Sequence, residues 1–100
     1  ITASATIHAT QIAGIIKVMQ TSPENAEHRY FIPLDNCEIK ISQIGVDVII
    51  KKDHGFVSLP ISDTSVEQKT IKCSDEGKLI KFSKSGNHIS IAVKEEDENG

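Results

Sequence analysis

The side chains able to do chemistry in this chain of 100 residues are four histidines, two cysteines and a run of acids at one end. The histidines are His8, His28, His54 and His88, and the cysteines are Cys37 and Cys73. No two of these six lie two to five residues apart, which is the spacing that paired zinc ligands use. The pattern therefore predicts no metal site and no bound cofactor.

The serines and glycines do not form a catalytic motif either. Ser58, Ser83 and Ser90 lie in alternating patterns without the Gly-x-Ser-x-Gly turn of a serine nucleophile, and no glycine-rich loop for phosphate is present. Cys37 next to a histidine would need a third, orienting group that the sequence does not single out. We expect a domain that is not an enzyme.

The two cysteines leave two interpretations open. Cys37 alternates in register with Ile39 and Ile41, and Cys73 does so with Ile71, so both are predicted to point inward. They could be two buried free thiols. They could also form one disulfide, which would indicate an oxidising compartment.

The acidic run is the strongest charge feature of the chain. Glu95, Glu96, Asp97 and Glu98 carry four negative charges, so the net charge of −3 becomes +1 for residues 1–94. A body so nearly neutral lacks the basic excess that holds a nucleic-acid backbone, and no apolar run approaches the roughly 20 residues of a membrane span. We expect no direct nucleic-acid or membrane binding. The four acids are the predicted binding residues, because an acidic tail selects basic partners.

The composition predicts strands to carry this tail. Sixteen Ile, six Val and six Thr stand against ten Leu, Ala and Met together. β-Branched side chains favour the pleated surface of a sheet. The sequence predicts an all-β, single-domain antiparallel sandwich or barrel of about eight strands.

The order of the segments gives three regions. They are an N-terminal leader or edge strand over residues 1–12, the β-sandwich over 13–94, and the start of an acidic tail or linker over 95–100. Three Ile and a Val favour a strand over residues 14–20 rather than a short helix. Turns are predicted at residues 53–55 and 85–87, the second inside the most regular hairpin of the chain.

Several short segments together resemble the nucleoplasmin-like histone-chaperone domain, in the version that precedes some nuclear prolyl isomerases. In chain order they are residues 13–16, 39–43, 56–59, 66–68, Gly77, 82–86 and 88–91, followed by the acidic run. The resemblance implies a jelly-roll sandwich that forms a homo-oligomer, a pentamer in that family. It also implies nuclear location, acidic tails that bind histones or other basic proteins, and an isomerase domain that could lie outside this chain.

A second interpretation comes from the strand count and the possible Cys37–Cys73 bridge. Small disulfide-containing sandwiches are typical of secreted and cell-surface proteins. The alternative function is therefore an adhesion or structural binding module of an extracellular protein.

Overall fold

The computed structural model describes residues 4–32, 36–73 and 78–94, and it confirms a mostly β fold in which two four-stranded sheets form a sandwich. The elements are α1 (Ser4–Thr21), β1 (Ala26–Ile32), β2 (Cys37–Ile41), β3 (Gly45–Ile50), β4 (Asp53–Ser58), β5 (Ser65–Val66), β6 (Lys69–Lys72), β7 (Lys78–Ser85) and β8 (His88–Lys94).

The first sheet has the order β1-β7-β8-β5, and the second has the order β4-β3-β2-β6. Neighbouring strands are antiparallel with one exception, because the short β5 pairs parallel with β8 through Ser65 and Val66. The predicted antiparallel sandwich is confirmed apart from this pair. β5 itself, two residues in a polar segment, was not expected.

The predicted strand over residues 14–20 is wrong, and so is the edge-strand interpretation of the leader. Residues 4–12 of the leader and residues 14–20 all belong to α1, which runs without a break across residue 12. The reason is the spacing of the buried side chains, which recur three and four residues apart along one helical face. They are Ala5, Ala9, Ile12, Ala13, Ile16, Met19 and Gln20. The β-branched composition of this stretch pointed to a strand, but burial of one helical face prevails over that weak preference.

Helix α1 packs most closely on β3 and β4 of the second sheet. A Cβ atom added at Gly55 of β4 would lie 2.5 Å from the backbone nitrogen of Thr6, so the strand can meet the helix this closely only because residue 55 has no side chain. On the helix, Ala5 and Ala9 carry only methyl side chains, and both are fully buried. The small residues thus set how deeply the helix sits against the sheet.

The turn between β3 and β4 lies two residues before its predicted place. Ile50 pairs with Asp53, which leaves Lys51 and Lys52 as the turn, and Lys51 adopts a left-handed φ of 56°. Residues 53–55 instead begin β4. The last hairpin is confirmed, with Gly86 at a φ of 62° between β7 and β8.

Isoleucine is the most frequent residue type in the core. The buried apolar side chains of both sheets and of α1 belong to one cluster, which includes Ile39, Ile41, Val46, Val48, Ile71, Ile80, Phe82, Ile89 and Ile91. Along β2, β7 and β8 they alternate with more exposed residues, as a half-buried strand requires.

Candidate functional site

The two cysteines form a disulfide, which decides between the two interpretations that the sequence left open. Cys37 begins β2 and Cys73 follows β6 directly, with Cα atoms 5.0 Å apart. The backbone nitrogen of Cys73 also donates to the carbonyl oxygen of Cys37 at 2.9 Å. Cys37 is buried and Cys73 is half-buried, in line with the predicted inward orientation. The bridge therefore holds the edge strand β6 to β2 at one end of the second sheet.

An open depression of about 360 Å³ lies beside this disulfide. Glu38, Lys51 and Lys72 contribute charged side chains to its wall, next to both cysteines. The wall mixes both signs of charge and is open to solvent, so it lacks the enclosed, largely apolar character of a small-molecule site.

Both ends of α1 are held by side chains from the sheets. At the N-terminus, the backbone nitrogen of Ala5 donates to Oδ2 of Asp53 at 2.9 Å. At the C-terminus, the ammonium group of Lys84 donates to the carbonyl oxygen of Ser22, and Lys84 is only 6 % exposed. An anion at the start and a cation at the end both oppose the partial charges of the helix ends. Because Asp53 lies in the second sheet and Lys84 in the first, the helix connects the two.

A third connection is a hydrogen-bonded cluster of His8, Tyr30 and Gln11. The Tyr30 hydroxyl donates to Oε1 of Gln11 at 2.7 Å and contacts Nδ1 of His8, whose ring meets the tyrosine ring edge-on with centroids 5.8 Å apart. Burial lowers the pKa of His8 and raises the pKa of Tyr30. Both side chains therefore favour their neutral forms, and their hydrogen bonds join the helix to β1.

Asp47 and His54 form a pair on the outer face of the second sheet. Nε2 of His54 contacts Oδ1 of Asp47 across the β3–β4 hairpin, and His54 is largely exposed. The contact becomes an ion pair when the imidazole is protonated. This is the arrangement of a cross-strand pair on a solvated face.

An apolar surface lies beside this pair. Ile44 is 72 % exposed and Phe56 is 51 % exposed. The Phe56 ring covers Gly45, where an added Cβ would lie 2.4 Å from Cζ of the ring. Lys40, Lys69 and Asp47 surround both apolar side chains, in a depression of about 210 Å³.

The residues that the sequence singled out are not brought together in one site. Glu95, Glu96, Asp97 and Glu98 follow the end of β8 and lie outside the described residues. The histidines are not brought together: His8 lies against Tyr30, His54 against Asp47, and His88 against Ser65 at 2.7 Å, while His28 is exposed on β1. Within residues 4–32, 36–73 and 78–94, no three His, Cys, Asp or Glu side chains lie close enough to hold a metal ion.

The sequence reasoning missed the Asp53 and Lys84 contacts and the His8 cluster, because each depends on α1 being a helix. The signal was the spacing of four residues between Ala5, Ala9 and Ala13.

In comparisons with known proteins, no protein-family model, curated protein or solved structure matches the chain. Among the described residues, no helix combines the length and apolar character needed to cross a bilayer.

Proposed function

We propose that this chain is a non-catalytic β-sandwich module of a secreted or cell-surface protein, with a structural or adhesive role. The observation that carries the proposal is the disulfide between Cys37 and Cys73. Disulfides persist in oxidising compartments and are rare in the cytosol and nucleus, where thiols are kept reduced. The oxidised pair therefore favours an extracellular location.

The contacts between the helix and the sheets support a structural role. Asp53 and Lys84 hold the two ends of α1 from different sheets, and the His8 cluster holds its middle on β1. The charged and polar side chains of these contacts are thus engaged in holding the fold. The site chemistry of the described residues favours binding through a surface over catalysis in a cleft.

Thiol titration of the unfolded protein tests the compartment directly. In the natural protein, isolated from its source cells with free thiols blocked at lysis, peptide mapping should find Cys37 and Cys73 unblocked until a reductant is added, and both reactive afterwards. In intact cells, a membrane-impermeant biotin reagent should label its lysines. Two free thiols in the isolated protein, together with protection from the impermeant reagent, would refute the extracellular proposal.

A histone-chaperone module is the second candidate, favoured by the split of charge between a body of net +1 and the four acids at residues 95–98. Several such tails on one homo-oligomer would bind basic proteins through avidity, although each tail binds weakly under physiological screening. A nuclear location is harder to reconcile with the disulfide.

The test of this candidate compares the chain with a variant in which Glu95, Glu96 and Glu98 become Gln and Asp97 becomes Asn. The chaperone proposal expects a pentameric mass and salt-sensitive histone binding that the variant loses. A monomer whose histone binding is the same in both proteins would rule it out.

A further inference from the structure

The four sheet edges differ in how open they are. Strand β5 is only two residues long, and β6 carries lysines at both ends, a common protection of edges against pairing. The start of α1 packs on one face of β4 at Gly55, and the β4 edge has six residues. Among the described strands, β1 is the longest edge, with seven residues, and β7 is the strand that pairs with it there. An edge of this length presents backbone donors and acceptors that can pair with another strand.

The exposed side chains of β1 determine which strand fits there. Glu27, His28, Arg29 and Phe31 are all exposed. Consider two copies of the same strand that pair antiparallel about a two-fold axis perpendicular to the sheet. Residues directly opposite each other must then face the same side of the sheet, so the axis passes between one residue and the same residue of the second copy. An axis at Glu27 places two carboxylates opposite each other. An axis at Arg29 places two guanidinium groups opposite each other. An axis at His28 instead places each Glu27 opposite Arg29 of the second copy, twice.

The surroundings of Glu27 keep it charged for this pairing. Desolvation acts to raise its pKa, but the charges of Lys81 and Arg29 and their hydrogen bonds act in the other direction and leave the pKa of Glu27 below its ordinary value. The carboxylate lies 3.5 Å from Nζ of Lys81 and 3.3 Å from the Arg29 guanidinium, on the outer face of the first sheet. Opposite charges directly across a strand pair are stabilising, and like charges are destabilising.

We infer that the free edge of β1 is a self-association surface: β1 pairs antiparallel with β1 of a second copy, with His28 at the two-fold axis. The two first sheets then form one eight-stranded sheet with the order β5-β8-β7-β1-β1-β7-β8-β5. The interaction closes at two copies, because a β1–β1 contact about a two-fold axis uses the β1 edge of both molecules.

Sedimentation equilibrium over a concentration series into the millimolar range tests this pairing. The wild-type chain should show a monomer–dimer equilibrium that weakens with added salt. Glu27→Arg places arginines opposite each other twice, so it should raise the dissociation constant about tenfold or more. Combining it with Arg29→Glu restores opposite charges across the axis, so the double variant should recover most of the lost affinity. Asp63→Arg, with the same charge change in an exposed loop, is the matched control and should leave the dimer unchanged.

A separate variant tests the axis. His28→Lys places two ammonium groups opposite each other and should leave a folded monomer, with unchanged circular dichroism and thermal unfolding. A wild-type chain that stays monomeric at every concentration, a pentamer, or a double variant as weak as Glu27→Arg alone would each overturn the inference. None of these results bears on the extracellular proposal, which the thiol titration tests separately.

Discussion

Gln20 is a buried amide without a partner, and replacing it should stabilise the protein. Its side chain is 8 % exposed, and neither Nε2 nor Oε1 has a hydrogen-bond partner. Leaving a buried polar group unpaired costs about 1–3 kcal/mol. Gln20→Met keeps the length of the side chain and its helix preference, and it removes the unpaired amide. We expect the free energy of unfolding to rise by about 1–3 kcal/mol, with a thermal midpoint higher by about 4–8 °C for each kcal/mol.

The matched control is the same substitution at Gln43. Nε2 of Gln43 donates to the carbonyl oxygen of Thr64 at 3.1 Å, and its Oε1 accepts from the backbone nitrogen of Val66 at 2.7 Å. Gln43→Met removes both bonds and leaves the Val66 nitrogen unpaired beside a buried side chain. At about 0.5–1.5 kcal/mol for each hydrogen bond, the free energy of unfolding should fall by about 1–3 kcal/mol.

Urea unfolding followed by circular dichroism measures both variants. The two midpoints should move in opposite directions with unchanged slopes, since a changed slope would report a different unfolded state rather than this contact. If Gln20→Met lowers the midpoint as Gln43→Met does, then the Gln20 amide has a partner, such as a buried water, and the reasoning is refuted.

Three further predictions concern the disulfide, His8 and the helix N-terminus. Replacing Cys37 and Cys73 together by Ala should lower the free energy of unfolding by about 4 kcal/mol in urea titrations, as expected for a bridge across a sequence separation of 36 residues. Burial lowers the pKa of His8, so His8 of the unfolded state is protonated first as the pH falls through the ordinary value of 6.5. The free energy of unfolding should therefore decrease with falling pH, by up to about 1.4 kcal/mol per pH unit. His8→Asn should reduce that slope in urea titrations at pH 5 to 7. Asp53→Ala removes an anion and a hydrogen bond from the helix N-terminus, so thermal unfolding should show a loss of about 1–2 kcal/mol, and an unchanged midpoint would contradict the capping role.

The strands could be predicted from the sequence because their signal is local. In β8, Ile89 and Ile91 alternate with His88 and Ser90, and the structure buries the two isoleucines. Composition misled the prediction only where β-branched residues occur at helical spacing. Ile12 and Ile16 are such residues, and they share the buried face of α1 with Ala5, Ala9 and Ala13.

The candidate site was less predictable because its contacts join residues far apart in the chain. Ala5 and Asp53 are 48 positions apart, and Lys84 and Ser22 are 62 apart. No spacing rule connects such pairs until the topology is known. The cysteines show the same limit, since alternation indicated that both face inward but could not say whether they are bonded.

The two-ended attachment of α1 has a mechanical consequence. Tension applied between Ser4 and Lys94 enters through the helix and leaves through β8, which lies between β7 and β5 in the first sheet. Before the helix can peel away, the pull must break its contact with Asp53 in the second sheet, the His8 cluster and the Lys84 contact in the first. The contacts that resist peeling of the helix therefore come from both sheets.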